Sequence, residues 1–140
     1  MKQKIITVRP EKQFFKLTDC ANEFVQEIGG SGLLNIFVAH TTCGIKVLEG
    51  EILLLSDIST FLQEMFPQEK HYRHDIIGIR DVPIDERVNG FAHMRQLFFN
   101  ESTTIPVQNR KLMLGKWQDV FLIELDPIRE RQIIFTFLSD

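Results

Sequence analysis

Leu33-Leu34-Asn35-Ile36-Phe37-Val38-Ala39 runs into His40-Thr41-Thr42-Cys43-Gly44, and Ile45-Lys46-Val47-Leu48-Glu49 carries the chain away again. The first segment is nearly all apolar, with β-branched and aromatic members, as in a strand interior. It predicts a strand over Leu33 to Ala39, buried on both faces or at least covered at one end. Ile45 and Val47 alternate around Lys46, which predicts the next strand. Between the two, an imidazole, two hydroxyls and a thiol sit at a strand end, where reactive groups are usually displayed. The plainer reading of that corner is a polar turn whose threonines bond its own backbone.

Upstream, Ile5 to Val8 and Phe14 to Leu17 are short β-prone runs separated by Pro10, and they predict a first pair of strands. Thr18 or Asp19 then caps a helix whose apolar positions Ala21, Phe24, Val25 and Ile28 recur at helical spacing, with Gly29-Gly30 stopping it. Downstream, Glu49-Gly50-Glu51 introduces a long helix with Ile52, Leu55, Ile58, Leu62 and Met65 on one stripe, ended by Pro67. Asp57 falls between Leu54 and Phe61 on that stripe. A carboxylate there is either paired or liganded, because burial alone is costly, or it is hydrated at the helix flank.

Gln68 to Asp85 is polar and irregular, and loops of this length are more often functional than idle. Asp85 is placed to cap a third helix with Val88, Phe91, Met94, Leu97 and Phe98 as its apolar face, and Asn89 and His93 share another face. Strands over Thr103 to Val107, Lys111 to Leu114, Trp117 to Leu125 and Gln132 to Leu138 finish the chain, with Gln108-Asn109-Arg110 as a hairpin turn. About eight strands and three interspersed helices without regular βα alternation make an α+β fold.

Composition narrows the function. With 140 residues, 44% hydrophobic and 25% charged, the chain is an ordinary globular domain covering 1–140. A net charge of −3 argues against a nucleic-acid partner, which calls for a basic face. No apolar stretch approaches the ~20 residues of a membrane helix, and Met1-Lys2-Gln3-Lys4 does not open a signal peptide. The expectation is a soluble, cytoplasmic protein with no nucleic acid or membrane to bind. Cys20 and Cys43 are too few for a disulfide scaffold. Twelve phenylalanines beside one Trp and one Tyr point to a dense core or to apolar surface buried between subunits.

His40, His74 and His93, with Glu49, Asp57 and Glu124, are the material of a metal or acid–base site assembled from separate elements. Cys43 beside a histidine is a conceivable nucleophile pair. Arg129 and Arg131, two apart on an extended segment, share a face and can hold a phosphate through several charge-assisted bonds, or they can pair with Glu124 and Asp126.

The ordered set His40-Thr41-Thr42-Cys43, Leu48-Glu49, Asp57, Tyr72-x-His74-Asp75, Asn89-x-x-x-His93, Leu114-Gly115-x-Trp117-Gln118 and Glu124-x-Asp126-x-x-Arg129-x-Arg131 resembles the YjbQ-like family, also described as secondary thiamine-phosphate synthases. The resemblance spans roughly Ile5 to Leu138. It implies a sandwich-like sheet arrangement assembled as a homotrimer, with polar clefts near the subunit interfaces. It also implies a weak thiamine-phosphate synthase activity, a transferase reaction that joins a pyrimidine methyl pyrophosphate to a thiazole phosphate and releases pyrophosphate. Carried over by position, His40, His74 and His93 are metal ligands or acid–base groups, and Glu49 and Asp57 are nearby catalytic carboxylates. Thr41, Thr42, Cys43, Asn89, Glu124, Arg129 and Arg131 face a small phosphorylated molecule, and Trp117-Gln118 form a wall. The implied cofactor is a divalent metal ion, zinc or magnesium; three imidazoles do not select among transition metals by softness. Three positions depart from the family pattern: Leu48 replaces an Asn, Asp126-Pro127-Ile128-Arg129 replaces Asp-Gly-Pro-Arg, and Arg110 stands for a hairpin Gly.

Overall fold

The computed structural model describes residues 1–127 and 129–139. Eight strands and three α-helices follow in the order β1 (Lys2–Val8), β2 (Phe14–Lys16), α1 (Thr18–Ile28), β3 (Gly32–Val38), β4 (Cys43–Glu49), α2 (Ile52–Met65), α3 (Gly90–Gln96), β5 (Ser102–Gln108), β6 (Lys111–Leu112), β7 (Gln118–Glu124) and β8 (Arg131–Ser139). Two 3₁₀ turns, Arg73–Asp75 and Ile77–Ile79, sit in the polar loop before α3. The strands form two antiparallel sheets, β1-β8-β3-β5-β6 and β2-β7-β4. The α+β expectation holds.

One apolar cluster joins the sheets: Leu34, Ile36 and Val38 from β3 and Ile133, Phe135 and Phe137 from β8 meet Cys43, Ile45, Val120 and Leu122 of the smaller sheet and Ala21, Phe24 and Val25 of α1. A second cluster, built from Phe121, Ile123, Leu125, Leu62, Phe91, Ala92 and Phe99, covers the other face of the smaller sheet. The strand buried on both faces is therefore β7, whose successive side chains serve the two clusters alternately. β3 is not such a strand: it buries Leu34, Ile36 and Val38 and leaves Leu33 exposed, as befits an antiparallel sheet with one wet face.

Thr18 does not cap α1. Leu17 holds the N-cap position, and the Thr18 hydroxyl donates to Asp119 (2.8 Å) and accepts from the Val120 amide (3.0 Å), tying the helix start to β7. Glu51 caps α2, its carboxylate accepting from the amides of Leu53 (2.9 Å) and Leu54 (2.8 Å). α3 begins at Gly90 and not after Asp85, with Asn89 at the N-cap position. The Asn89 side chain is drawn into a buried bond with Asp126 and caps nothing.

The β5–β6 hairpin closes on Asn109 (φ 50°) and Arg110 (φ 65°), with Gln108 paired to Lys111. Two consecutive left-handed residues make the turn whose twist suits a hairpin. Both are non-glycine, so Arg110 takes the left-handed conformation as well as Asn109.

α2 departs most from the sequence reading. Of its stripe only Leu62 is buried; Ile52, Leu53, Phe61 and Met65 are open. Phe61 meets Phe98, in the turn after α3, edge to face at 5.3 Å, and both rings remain more than 40% exposed. Among the described residues no helix is long and apolar enough to cross a membrane.

Candidate functional site

The site forms where β3 and β7 end and β8 begins. Glu124, the last residue of β7, and Arg131, the first of β8, are almost completely buried and form a two-pronged ion pair. Arg131 also donates to the Thr42 hydroxyl (3.1 Å) and to the Thr42 carbonyl (3.2 Å). A buried guanidinium so fully engaged is held in the scaffold. Of the two readings of the paired arginines, internal pairing is the one Arg131 follows, and the expected phosphate ligand becomes the floor of the site.

Asp126, two residues on, is a second organiser. Its carboxylate is 2% exposed and accepts from Arg87 (2.6 and 3.2 Å), Asn89 (2.9 Å) and Arg129 (3.0 Å). Burial works to raise its pKa, but the bonds from Arg87, Asn89 and Arg129 outweigh it and hold the acid below its ordinary value. Asp126 therefore fixes Arg129 from the β7–β8 turn and Asn89 from the start of α3 in one place.

Gly90 brings the polar loop to the same spot. Its amide donates to Asp75 (2.9 Å), and a Cβ there would lie 2.6 Å from the Tyr72 Cβ, so only glycine admits the loop this close to α3. The consequence is a histidine pair: the rings of His74, from the loop, and His93, one turn into α3, lie edge to face with centroids 4.5 Å apart. Arg80 returns to hold the His74 carbonyl at 2.9 Å.

These groups surround a cavity of about 380 Å³ lined by His40, Thr41, Thr42, His74, Asn89, His93, Arg129 and Arg131 together with Arg80, Glu86 and Ala39. Three guanidiniums, three imidazoles and the Glu86 carboxylate line it; Glu124 neutralises Arg131, and Arg129 shares Asp126 with Arg87. His40 accepts a bond from the Gln132 amide through Nε2 at 3.1 Å, which leaves Nδ1 for a ligand. Burial, then the charges of Arg131 and Arg129, pull His40 below the usual imidazole pKa. Burial, then His74, do the same to His93 against the opposing pull of Asp126. Both are neutral at pH 7, able to accept a proton or to donate one from a single nitrogen.

Eight expected site residues thus converge, and six do not. Glu49 pairs with Gln118 at the far end of β4, six residues from Cys43 and about 20 Å along the strand. Trp117 is exposed beside it, under the Lys116 ammonium, and Gln118 accepts from the Gly115 amide. Within one chain these three make a separate surface and form no wall of the histidine cavity. Asp57 is exposed on α2; its apolar neighbours are themselves exposed, so it is the hydrated flank carboxylate. Cys43 points into the core, and burial pushes its thiol up to about 12, so it neither faces the cavity nor acts as a nucleophile. Glu124 serves through Arg131. Ile128 of the departing turn lies outside the described residues.

Sequence reasoning missed Arg80, Glu86 and Arg87. The only signal for them was the unassigned polar loop, since nothing local distinguishes Arg80 from other loop charges. For a metal, the histidine pair offers two donors, and His40 lines the same cavity. Among the described residues no group of three His, Cys, Asp or Glu side chains is placed to hold a metal ion. One chain alone therefore does not complete a protein-held tetrahedral set.

The chain presents a two-sheet α+β protein with a cationic, imidazole-bearing cavity at its strand ends. It belongs to the UPF0047 YjbQ-like family, whose model matches residues 3–140. A UPF0047 protein of Archaeoglobus fulgidus is 34% identical over 103 residues, 74% of this chain and 75% of that one. One from Methanothermobacter thermautotrophicus is 37% identical over 103 residues, 74% of this chain and 66% of the relative. Among solved structures, a hypothetical protein of Aeropyrum pernix, APE1520, superposes with a TM-score of 0.87 at 30% identity over 100% of both chains. A YbjQ-like protein of unknown function from Sulfolobus solfataricus does so with 0.84 at 32% identity, covering 99% of this chain and 97% of that one.

Proposed function

We propose that the histidine–arginine cavity binds a phosphorylated small molecule and that His74 and His93 move a proton at the bound ligand. The observation that carries this is the donor content of one cavity: Arg80 and Arg129 with three imidazoles line it beside one carboxylate, Glu86, above the internally neutralised Arg131–Glu124 pair. Arg129 shares Asp126 with Arg87 and Asn89, so it keeps N–H groups for phosphate oxygens. A departing pyrophosphate is stabilised by such fixed cations, and a neutral imidazole beside it can deliver or remove a proton. Thiamine-phosphate synthase chemistry, which the family resemblance implies, fits these requirements as a weak activity.

The same reading includes a homotrimer. Its support is the open apolar surface of α2 and the turn after α3: Ile52, Leu53, Phe61, Leu97 and Phe98 are all exposed, and Phe61 meets Phe98. Calorimetric titration of inorganic pyrophosphate tests the binding claim. The expected result is saturable binding that falls at least about tenfold in Arg129→Ala and in His93→Ala, as for a lost charge-assisted bond. Unchanged affinity in both variants refutes it.

A second reading rests on the His74–His93 pair alone: a divalent ion held by the two imidazoles and completed by ligand oxygens. Nitrogen donors favour zinc over magnesium, which prefers an all-oxygen shell. Elemental mass spectrometry of the purified protein and of His74→Ala distinguishes this reading from the metal-free one.

A further inference from the structure

Arg95 lies on α3, on the side away from the histidine cavity, and is 93% buried without a salt bridge among the described residues. Its Nε and Nη2 donate to the Phe66 carbonyl (3.0 and 2.8 Å), and Nη2 also donates to Gln63. The guanidinium stacks over the Phe91 ring at 4.9 Å. Nη1 has no partner among the described residues, yet no fully enclosed side-chain nitrogen or oxygen lacks one. Nη1 therefore opens to space. Arg95 itself lines a separate cavity of about 270 Å³ with Lys12, Gln68, Pro10, Phe91 and Pro127.

A buried cation bonded to neutral carbonyls is an expensive arrangement unless an anion completes it. Burial duly pulls the Arg95 pKa below its ordinary value. Two glutamates touch the cavity, Glu11 at the rim and Glu124, which Arg131 already neutralises. With Glu69 acting on Arg95 from beyond the lining, the cationic surplus is at most about one charge, too small for a phosphate dianion and suited to a carboxylate, and the prolines and Phe91 offer apolar contact.

We propose that this cavity is a binding site for a small organic monocarboxylate, with its carboxylate on Arg95 and Lys12 and its apolar body against Pro10, Phe91 and Pro127. It is distinct from the histidine cavity and stands or falls without it. Benzoate is the probe and benzamide its neutral counterpart, followed by amide chemical shifts in the full-length protein. Benzoate is expected to shift Lys12, Gln13 and Gln68 saturably, benzamide to leave them in place, and pyrophosphate to leave the benzoate Kd unchanged. Arg95→Gln should raise that Kd at least about tenfold. Should Arg95→Gln fail to fold, Lys12→Glu, an exposed rim change, should raise it about threefold. Equal response to benzamide, shifts centred on His40 and His93, or a Kd indifferent to Lys12→Glu would each overturn the proposal.

Discussion

Replacing Glu124 by Gln removes one charge from an ion pair whose two side chains are 1% and 3% exposed, and keeps the side-chain shape. Arg131 then retains the Thr42 carbonyl and hydroxyl but loses its counter-charge at 1% exposure. Breaking a buried pair from one side costs about 3–5 kcal/mol, because the surviving charge stays buried and unpaired. Gln can still accept one of the two bonds, so the lower end, about 3 kcal/mol, is expected. With a urea slope of about 2 kcal/mol/M, the unfolding midpoint should fall by about 1.5 M. The measurement is equilibrium urea unfolding at one fixed protomer concentration, since any self-association shifts the curve by mass action. The paired control is the double variant Glu124→Leu with Arg131→Met, in which no charge is left behind; it should cost clearly less than Glu124→Leu and Arg131→Met added together, with about 1–3 kcal/mol remaining for the Asp126 amide that loses its Glu124 acceptor. A cost below about 1 kcal/mol for Glu124→Gln, or a double variant that loses the sum of its singles, would refute the account of Arg131 as scaffold.

Three other outcomes are expected. Cys43, pushed up to about 12, should resist a thiol reagent in the native state and react only on unfolding, with Cys20 modified first; native labelling of Cys43, read by mass spectrometry, contradicts its placement. His40 and His93 should titrate below the usual imidazole value in a histidine NMR titration. Because their folded pKa is depressed, the unfolded chain binds protons first, so the stability they contribute is present above pH ~6.5 and lost as pH falls through their folded pKa. Sulfate, unprotonated across this range, should bind the cavity more tightly once pH falls through the folded pKa found in that titration, and a Kd flat across that pH would count against anion recognition there. Arg110→Gly should relieve a left-handed non-glycine residue by about 1 kcal/mol and raise Tm by about 3 °C. Its backbone bonds to Gly30 and Gln26 need no side chain, so a lower Tm would mean that the Arg110 side chain stabilises the turn.

How far the sequence could be read depended on whether a signal was local. Elements emerged because strand alternation, Gly29-Gly30 and Pro67 act on their own neighbours. His40, His74 and His93 stand out as site material by residue type, but joining Asn89 and Arg129 to them rests on the family resemblance, because the five arrive from four separate segments. Burial was the harder quantity. Arg131 and Arg129 look alike two residues apart, yet one is enclosed by Glu124 and Thr42 and the other reaches the cavity. Asp57 shows the converse, since an apolar stripe gives helical phase but not whether anything covers it. The start of α3 was misjudged for a related reason: Asn89 and Asp126 are 37 residues apart, and their bond takes the Asn89 side chain away from a capping role.

β7 belongs to both apolar layers at once, Val120 and Leu122 on one side and Phe121 and Ile123 on the other. Peeling away either layer strips half the cover from that strand. The two layers are therefore coupled in opening, and amide hydrogen exchange along β7 should be the slowest in the molecule, proceeding only through global unfolding. Because Glu124 ends this strand, the cavity floor inherits its rigidity, and Arg131 on that floor is held by the slowest-opening part of the fold.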